Sequence, residues 1–281
     1  MPKQEALMSK YENYDAISEN YDKTRTAVGI EIVLGYIAAL NKKPEDLQIL
    51  DAGCGTGNYA LELNKHYPNI WCADFSAGML NKCQQKFNKN NRQTRMLRCD
   101  ITRLPFRDEA LDIIICNQSL HHLDEPESEF ANLAEFLKQA SRALRPDGML
   151  LINTITHRQL RDGVWWGDLI KPAVERMKGR FTTDAQLSGL LTNAGMKITN
   201  RVVALDTIIQ QERYFDPDAL FDKTFRDGDS HFSLLTQEEL DNILIRLRGL
   251  RDNNTLADYI SARDSLRRDI GQFTYYVIRK G

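Results

Sequence analysis

The stretch Ile49-Leu50-Asp51-Ala52-Gly53-Cys54-Gly55-Thr56-Gly57-Asn58 decides how the rest of the chain is read. It passes from a buried-strand pattern, through a glycine-rich loop, into a helical pattern over residues 58–67. Gly53, Gly55 and Gly57 let the backbone turn sharply and approach a ligand closely, because glycine has no Cβ. In a doubly wound sheet, the first strand-to-helix turn is where a cofactor binds. A bare tight turn would use the same glycines, so the surroundings have to decide. Asp51 stands at the strand end, and a second carboxylate, Asp74, ends the next strand pattern. From residue 51 to residue 74 is 23 positions, close to the ~20 at which a carboxylate reaches ribose hydroxyls. The dinucleotide fingerprint G-x-G-x-x-G would need Gly or Ala where this chain has Asn58, and the Lys-Ser/Thr of a phosphate-binding P-loop is missing.

Outward from the loop, apolar runs of strand length recur at 47–52, 70–73, 111–116 and 149–152. Helical patterns at 58–67, 77–88 and 130–144 lie between them. Continuous apolar strands separated by helices predict an α/β fold with a parallel sheet covered on both faces. Ser76 can cap the second of those helices, and Thr183 can cap another that ends at Gly195. Pro146-Asp147-Gly148 reads as a turn before the strand at 149–152. Residues 197–209 and 273–278 look like further strands. Two regions break the alternation: 11–40, helical in pattern, and 214–270, where Leu240, Ile243, Leu244, Leu247 and Leu250 recur at helical spacing. That stripe reads as core packing. The expected organisation is one domain over 1–281: an N-terminal helical cover (1–45), a cofactor-binding core (46–211), a helical insertion (212–270) and a last strand (271–281).

Composition excludes several classes. Hydrophobic residues make up 42% of 281, too many for a largely disordered chain. Thirty-seven Lys+Arg nearly balance 39 Asp+Glu, without the basic excess of a protein living on phosphate backbones, so nucleic acid is an unfavoured partner. The longest apolar run, 27–40, is broken by Glu31 and falls short of the about 20 residues of a membrane span. The polar start gives no signal-peptide pattern. Cys54, Cys72, Cys83, Cys99 and Cys116 are odd in number and form no C-x-x-C pair, which fits a reducing cytoplasm.

Asp51-x-Gly53-x-Gly55-x-Gly57, with Asp74-x-Ser76-x-x-Met79, resembles the class I S-adenosylmethionine-dependent methyltransferases. Further motifs follow in order: Cys99-Asp100-Ile101, Leu111-Asp112-Ile113-Ile114-Ile115-Cys116, Ser119-Leu120-His121-His122-Leu123, and Leu144-Arg145-Pro146-Asp147-Gly148. The resemblance covers roughly residues 11–210 and the last strand. It implies a doubly wound, Rossmann-like seven-stranded sheet with the last strand antiparallel, and S-adenosylmethionine as cofactor. The Gly53–Gly57 loop would lie under the methionine part and Asp74 on the ribose. Asp100 and the Ile101 backbone would hold adenine, Phe75 and Met79 would cover its faces, and Asn117 would sit near the methionine moiety. Tyr21 and Arg25, in an N-terminal segment resembling the helical cover of many relatives, could approach the cofactor carboxylate or simply pack.

Methyl transfer from a sulfonium is a direct displacement that needs alignment and exclusion of water. An acidic acceptor also needs a base. His121, after the fourth strand, is the candidate, against a structural role for the His121-His122 pair. A metal on His121, His122, Asp124 and Glu125 is rejected, because neighbouring side chains in extended chain point to opposite faces. The substrate side is sought at Trp165 and Trp166, in a loop after the fifth strand, and where the insertion begins, at Tyr214, Phe215, Phe221, Phe225 and His231-Phe232-Ser233, with Arg213 and Arg226 as anion contacts. An insertion over the sheet edge encloses a small site, which favours a small-molecule acceptor with O, N or C as the accepting atom. The competing readings are a nicotinamide-dependent dehydrogenase, a protein or RNA methyltransferase, a non-catalytic S-adenosylmethionine-binding regulator, and non-methyl chemistry with the same cofactor.

Overall fold

The strands are β1 (Ile49–Ala52), β2 (Ile70–Asp74), β3 (Arg95–Arg98), β4 (Leu111–Asn117), β5 (Leu144–Thr154), β6 (Met196–Val203) and β7 (Thr274–Lys280). In the computed structural model, which describes residues 26–281, they form one sheet in the order β3-β2-β1-β4-β5-β7-β6. The first five run parallel, and β7 is antiparallel to both β5 and β6. This is the seven-stranded sheet expected, with its last strand reversed.

Period-2 alternation divides the apolar strand residues between two faces. Leu50, Ala52, Ile114, Cys116, Leu150 and Ile152 pack on one side with α4 (Ala131–Ala143) and α7 (Asp184–Asn193). Ile49, Ile113, Ile115, Met149 and Leu151 pack on the other with α1 (Ile30–Ala38), α2 (Asn58–Leu63) and α3 (Ala77–Lys89). The helices begin where the sequence puts caps. Ser76 Oγ accepts the Met79 N–H at 3.2 Å, and Thr183 with Gln186 forms a capping box. Gly195, at φ +70°, follows α7 as expected.

The turn expected at Pro146-Asp147-Gly148 lies inside β5, which already starts at Leu144. The register with β4 shifts between Leu111 and Ile113. There the wholly buried Asp112 carboxylate accepts from the Gln48 N–H at 2.9 Å, from Lys42 Nζ at 2.9 Å, and from Arg145. The strand reading of 197–209 also needs correcting, because β6 ends at Val203. Beyond it, the Ile209 N–H donates to Gln272 Oε1 at 2.6 Å rather than to a strand.

The segment after β5 is not a loop. It forms α5 (His157–Asp162) and α6 (Lys171–Lys178), the former started by a Thr156/Gln159 capping box. The insertion contributes α8 (Lys223–Asp227), α9 (Gln237–Asp252) and α10 (Leu256–Ile270). These stretches share a third apolar core that runs from Leu160, Trp165 and Trp166 to Leu247 and Ile260. The cap over the sheet edge is therefore built from two parts of the chain, 157–181 as well as the insertion. The stripe along α9 packs as expected: Ile243 and Leu247 are buried, with Leu240, Leu244 and Leu250 against the same core. Among the described residues no helix is long and apolar enough to cross a membrane.

Candidate active site

The chain leaves β1 for β2 and β3 on one side, then crosses to β4 on the other, and β1 pairs with both β2 and β4. The crevice beyond the strand ends at such a switch point is the natural binding site of an open α/β sheet. The glycine loop is folded back across β2 here, with the Gly53 and Cys54 N–H groups both donating to Ala73 O, at 2.8 and 2.9 Å. Gly53 sits at φ +73°, and a Cβ on it would stand 2.6 Å from Ser119 Oγ. Asp74 uses both oxygens to fix this geometry: Oδ2 accepts the Gly55 N–H at 2.8 Å and Oδ1 the Ser76 N–H at 2.9 Å. Asp100 Oδ1 accepts from the Thr102 N–H at 2.9 Å and from Thr102 Oγ1 at 2.8 Å, which starts the turn carrying Ile101.

Asp51, Gly53, Gly55, Asp74, Phe75, Met79, Asp100, Ile101 and Asn117 line a single cavity. Two polar atoms at this wall, Asp51 Oδ2 and Asn117 Nδ2, are buried without a hydrogen-bond partner among the described residues. Burial, with the neighbouring Cys72 and Asp74 adding to it, holds the Asp51 carboxyl well above the usual carboxylate range. An unsatisfied acceptor and an unsatisfied donor on one wall suit a ligand that carries both an ammonium and a carboxylate. Gly57 is not in that wall. It sits at φ +79°, and a Cβ there would come within 2.3 Å of Cys83 Sγ, so its lack of a side chain lets the loop pack closely on α3. Tyr21 and Arg25 lie outside the described residues.

A second cavity, of about 390 Å³, lies between the sheet edge and the cap and shares Gln118, His122 and Ile209 with the first. Three of the chain's five histidines line it: His121, His122 and His231. His121 is buried, with its ring stacked on Phe181 at 4.7 Å and 16°. Its ring stands beside that of His122, centroids 3.8 Å apart, because both lie on the tight turn Leu120–His122 and not on extended chain. The two side chains therefore do not point to opposite faces, as extended chain would have them do. The neighbouring carboxylates are engaged elsewhere: Asp124 accepts the Asn132 and Leu133 N–H groups at the start of α4, and Glu125 pairs with Arg180.

Trp165, Trp166, Tyr214 and Phe215, expected at the substrate, do not stand in either cavity wall. Trp165, Trp166 and Tyr214 are wholly buried in the cap's core, with Trp165 Nε1 donating to Tyr214 O at 2.7 Å. Phe215 is half exposed. Apolar mass drew these rings into the cap's own core, whereas Phe225, Arg213 and His231, also sought at the substrate, line the second cavity together with Phe181. His231, sought at the substrate side, lines the second cavity, and its pairing with Asp229 is what the sequence did not show. Asp229 Oδ1 accepts from His231 Nδ1 at 2.6 Å and from its backbone N–H at 3.1 Å, and His231 Nε2 is buried with no partner among the described residues. An Asp-x-His at the head of a short turn was the signal for that pairing.

Residues 50–152, from β1 into β5, match the methyltransferase domain family. That stretch also supplies every described cofactor-side wall residue named above. Residues 50–152 thus form a methyltransferase domain of the class I, S-adenosylmethionine-dependent kind. The ubiquinone/menaquinone biosynthesis C-methyltransferase UbiE of Campylobacter jejuni is 28% identical over 176 residues, 57% of this chain and 67% of its own length. The tRNA (carboxymethyluridine(34)-5-O)-methyltransferase of Arabidopsis thaliana is 33% identical over 139 residues, 50% of this chain but only 30% of that protein. Among solved structures, a proposed antibiotic-biosynthesis methyltransferase of Anabaena variabilis superposes with a TM-score of 0.69 at 21% identity, covering 91% of this chain and 98% of that one. The geranyl diphosphate C-methyltransferase of Streptomyces coelicolor, in complex with S-adenosyl-L-homocysteine, gives 0.50 at 15% identity, over 95% and 76%. At these identities the structures speak to the methyltransferase's fold. S-adenosylmethionine is the cofactor of the methyltransferase class whose domain residues 50–152 match.

Proposed function

We propose that this methyltransferase alkylates a small-molecule acceptor held in the 390 Å³ cavity under the cap. When bound, S-adenosylmethionine supplies an electrophilic methyl carbon for direct displacement. The observation that carries the reading is the wall shared by the two cavities, at Gln118, His122 and Ile209. An acceptor in one is a neighbour of the cofactor in the other, and alignment at about 3 Å with water excluded supplies most of what such a displacement needs. On the cofactor side, Asp74 takes the ribose hydroxyls, Asp100 and the Ile101 backbone take adenine, and Phe75 and Met79 cover its faces. Asp51, Asn117 and the Gly53–Gly55 turn hold the amino-acid end.

On the acceptor side, Leu160, Met177, Phe181 and Phe225 offer an apolar surface and Arg213 a cation. The cavity volume falls within the roughly 300–1,000 Å³ of small-molecule sites. His121, the base expected from the sequence, contributes a packed ring to this wall. His231 is the better-arranged base. With Nδ1–H donated to Asp229, Nε2 is left as a proton acceptor whose buried lone pair has no other partner among the described residues. Such a pair suits an acceptor that loses a proton on methylation, a hydroxyl or an activated ring carbon. The name of the Campylobacter relative supports an acceptor of that kind; the name of the Arabidopsis relative supports a second reading, a tRNA base.

The experiment is S-adenosylhomocysteine release with parallel panels of hydroxylated aromatics and quinols, small amines, and total tRNA. The expected result is turnover with a hydroxylated or activated-carbon acceptor, lowered about 10²-fold or more by His231→Ala, with cofactor affinity unchanged. Turnover confined to tRNA would overturn the small-molecule reading. Turnover unchanged in His231→Ala but lost in His121→Ala would return the base to His121.

A further inference from the structure

Three of the five cysteines meet behind the glycine loop. Cys54 comes from the loop itself, Cys72 from β2 and Cys83 from α3, and all three are buried. Their sulfur atoms lie within 4.8 Å of one another, and none is in a disulfide. A Zn–S bond is about 2.3 Å, so three sulfurs around one ion stand roughly 4 Å apart, a spacing that this triangle needs little movement to reach. Few oxygens surround it: Cys54 Sγ lies 3.5 Å from Gly55 O, Cys72 Sγ 3.5 Å from Thr94 Oγ1, and the buried Asp51 carboxyl lies near all three thiols. Leu80, Phe87 and Ala60 belong to the same apolar core, so the surroundings are poor for a hard cation and good for a soft one. Cys54 also lines the cofactor cavity, which provides an entry path.

We propose that Cys54, Cys72 and Cys83 form a three-thiolate site for a single thiophilic d10 cation, Zn(II) or Cu(I). Binding exchanges thiol protons for metal–sulfur bonds and releases those protons to solvent. No oxidant or reductant is involved. The consequence is mechanical. The ion ties the loop between Gly53 and Gly55 to β2, two residues before Asp74, and to α3. These are three of the segments that shape the cofactor's cavity. Metal occupancy and cofactor affinity are therefore linked, and the linkage is reciprocal.

The test is anaerobic titration of the reduced full-length chain with Cd(II) as spectroscopic probe, read by thiolate-to-metal charge-transfer absorption and by competition with Zn(II) and with Cu(I). The expected result is one equivalent bound, with affinity lowered at least 100-fold by Cys72→Ser and, separately, by Cys83→Ser, and unchanged by Cys99→Ser. Which competitor displaces Cd(II) more effectively identifies the preferred ion. Melting curves of both variants, with and without S-adenosylhomocysteine, verify that each remains folded. The absence of stoichiometric binding by the wild type overturns the proposal. So does binding that survives both variants or is lost in Cys99→Ser. No arm depends on an acceptor substrate, so the outcome is independent of the proposed methyl transfer.

Discussion

Gly57 shows how narrowly single residues shape this site. Its φ of +79° suits glycine, and a Cβ would come within 2.3 Å of Cys83 Sγ. The left-handed conformation costs an L-residue about 1–2 kcal/mol, and overpacking adds about 1–3 kcal/mol. Gly57→Ala should therefore destabilise by about 2–5 kcal/mol in denaturant unfolding. Because part of that cost is the contact with sulfur, Gly57→Ala and Cys83→Ala together should cost less than the sum of the two. Strict additivity would show that the clash is not felt. Asp74 works differently. It holds two N–H groups on consecutive segments while facing the cavity, so its carboxylate both builds the wall and belongs to it. The 23-residue spacing pointed to Asp74, but the Gly55 contact could not be read from spacing, because it joins β2's end back onto the loop after β1.

At the scale of elements, Asp112 ties β4 to its surroundings through Gln48, Lys42 and Arg145. Burial pushes its carboxyl up, but the Gln48 N–H and the two cations outweigh that and leave it below its ordinary value near 3.8. A carboxyl with a depressed folded pKa contributes stability that is fully present above the unfolded value and is lost as pH falls through the folded one. Unfolding titrations from pH 6 downward should show that loss below about pH 4. Asp112→Asn should remove about 3 kcal/mol at neutral pH and flatten that part of the profile. An unchanged acid profile would mean that the pairing is not formed. Elements with local signals were legible from sequence: the caps at Ser76 and Thr183, the β-α alternation, the Gly195 stop. Pro146-Asp147-Gly148 was not, since its place inside β5 depends on a register shift against β4.

At the scale of the molecule, the sheet and cap bury separate cores, and the second cavity lies where they meet. Sequence patterns point to the wall of the first cavity because its residues cluster on successive strand ends. The second cavity draws on segments as far apart as Gln118, Phe181, His231 and Gln272, and nothing local marks them as neighbours. Trp165 and Trp166 stand out by residue type, yet adjacency does not tell which way a ring faces. Trp165→Ala should therefore cost about 3–5 kcal/mol of stability, as a core truncation does. A stable Trp165→Ala protein with altered acceptor preference would instead place the ring at the substrate. Calorimetric titration of the full chain with S-adenosylhomocysteine, alongside NAD, for the wild type and Asp74→Ala, tests the cofactor assignment. One site is expected for S-adenosylhomocysteine and none for NAD, with a loss of about tenfold or more in Asp74→Ala, the scale of a hydrogen bond to a charged group. Binding of NAD in its place, or S-adenosylhomocysteine affinity indifferent to Asp74, would contradict that assignment.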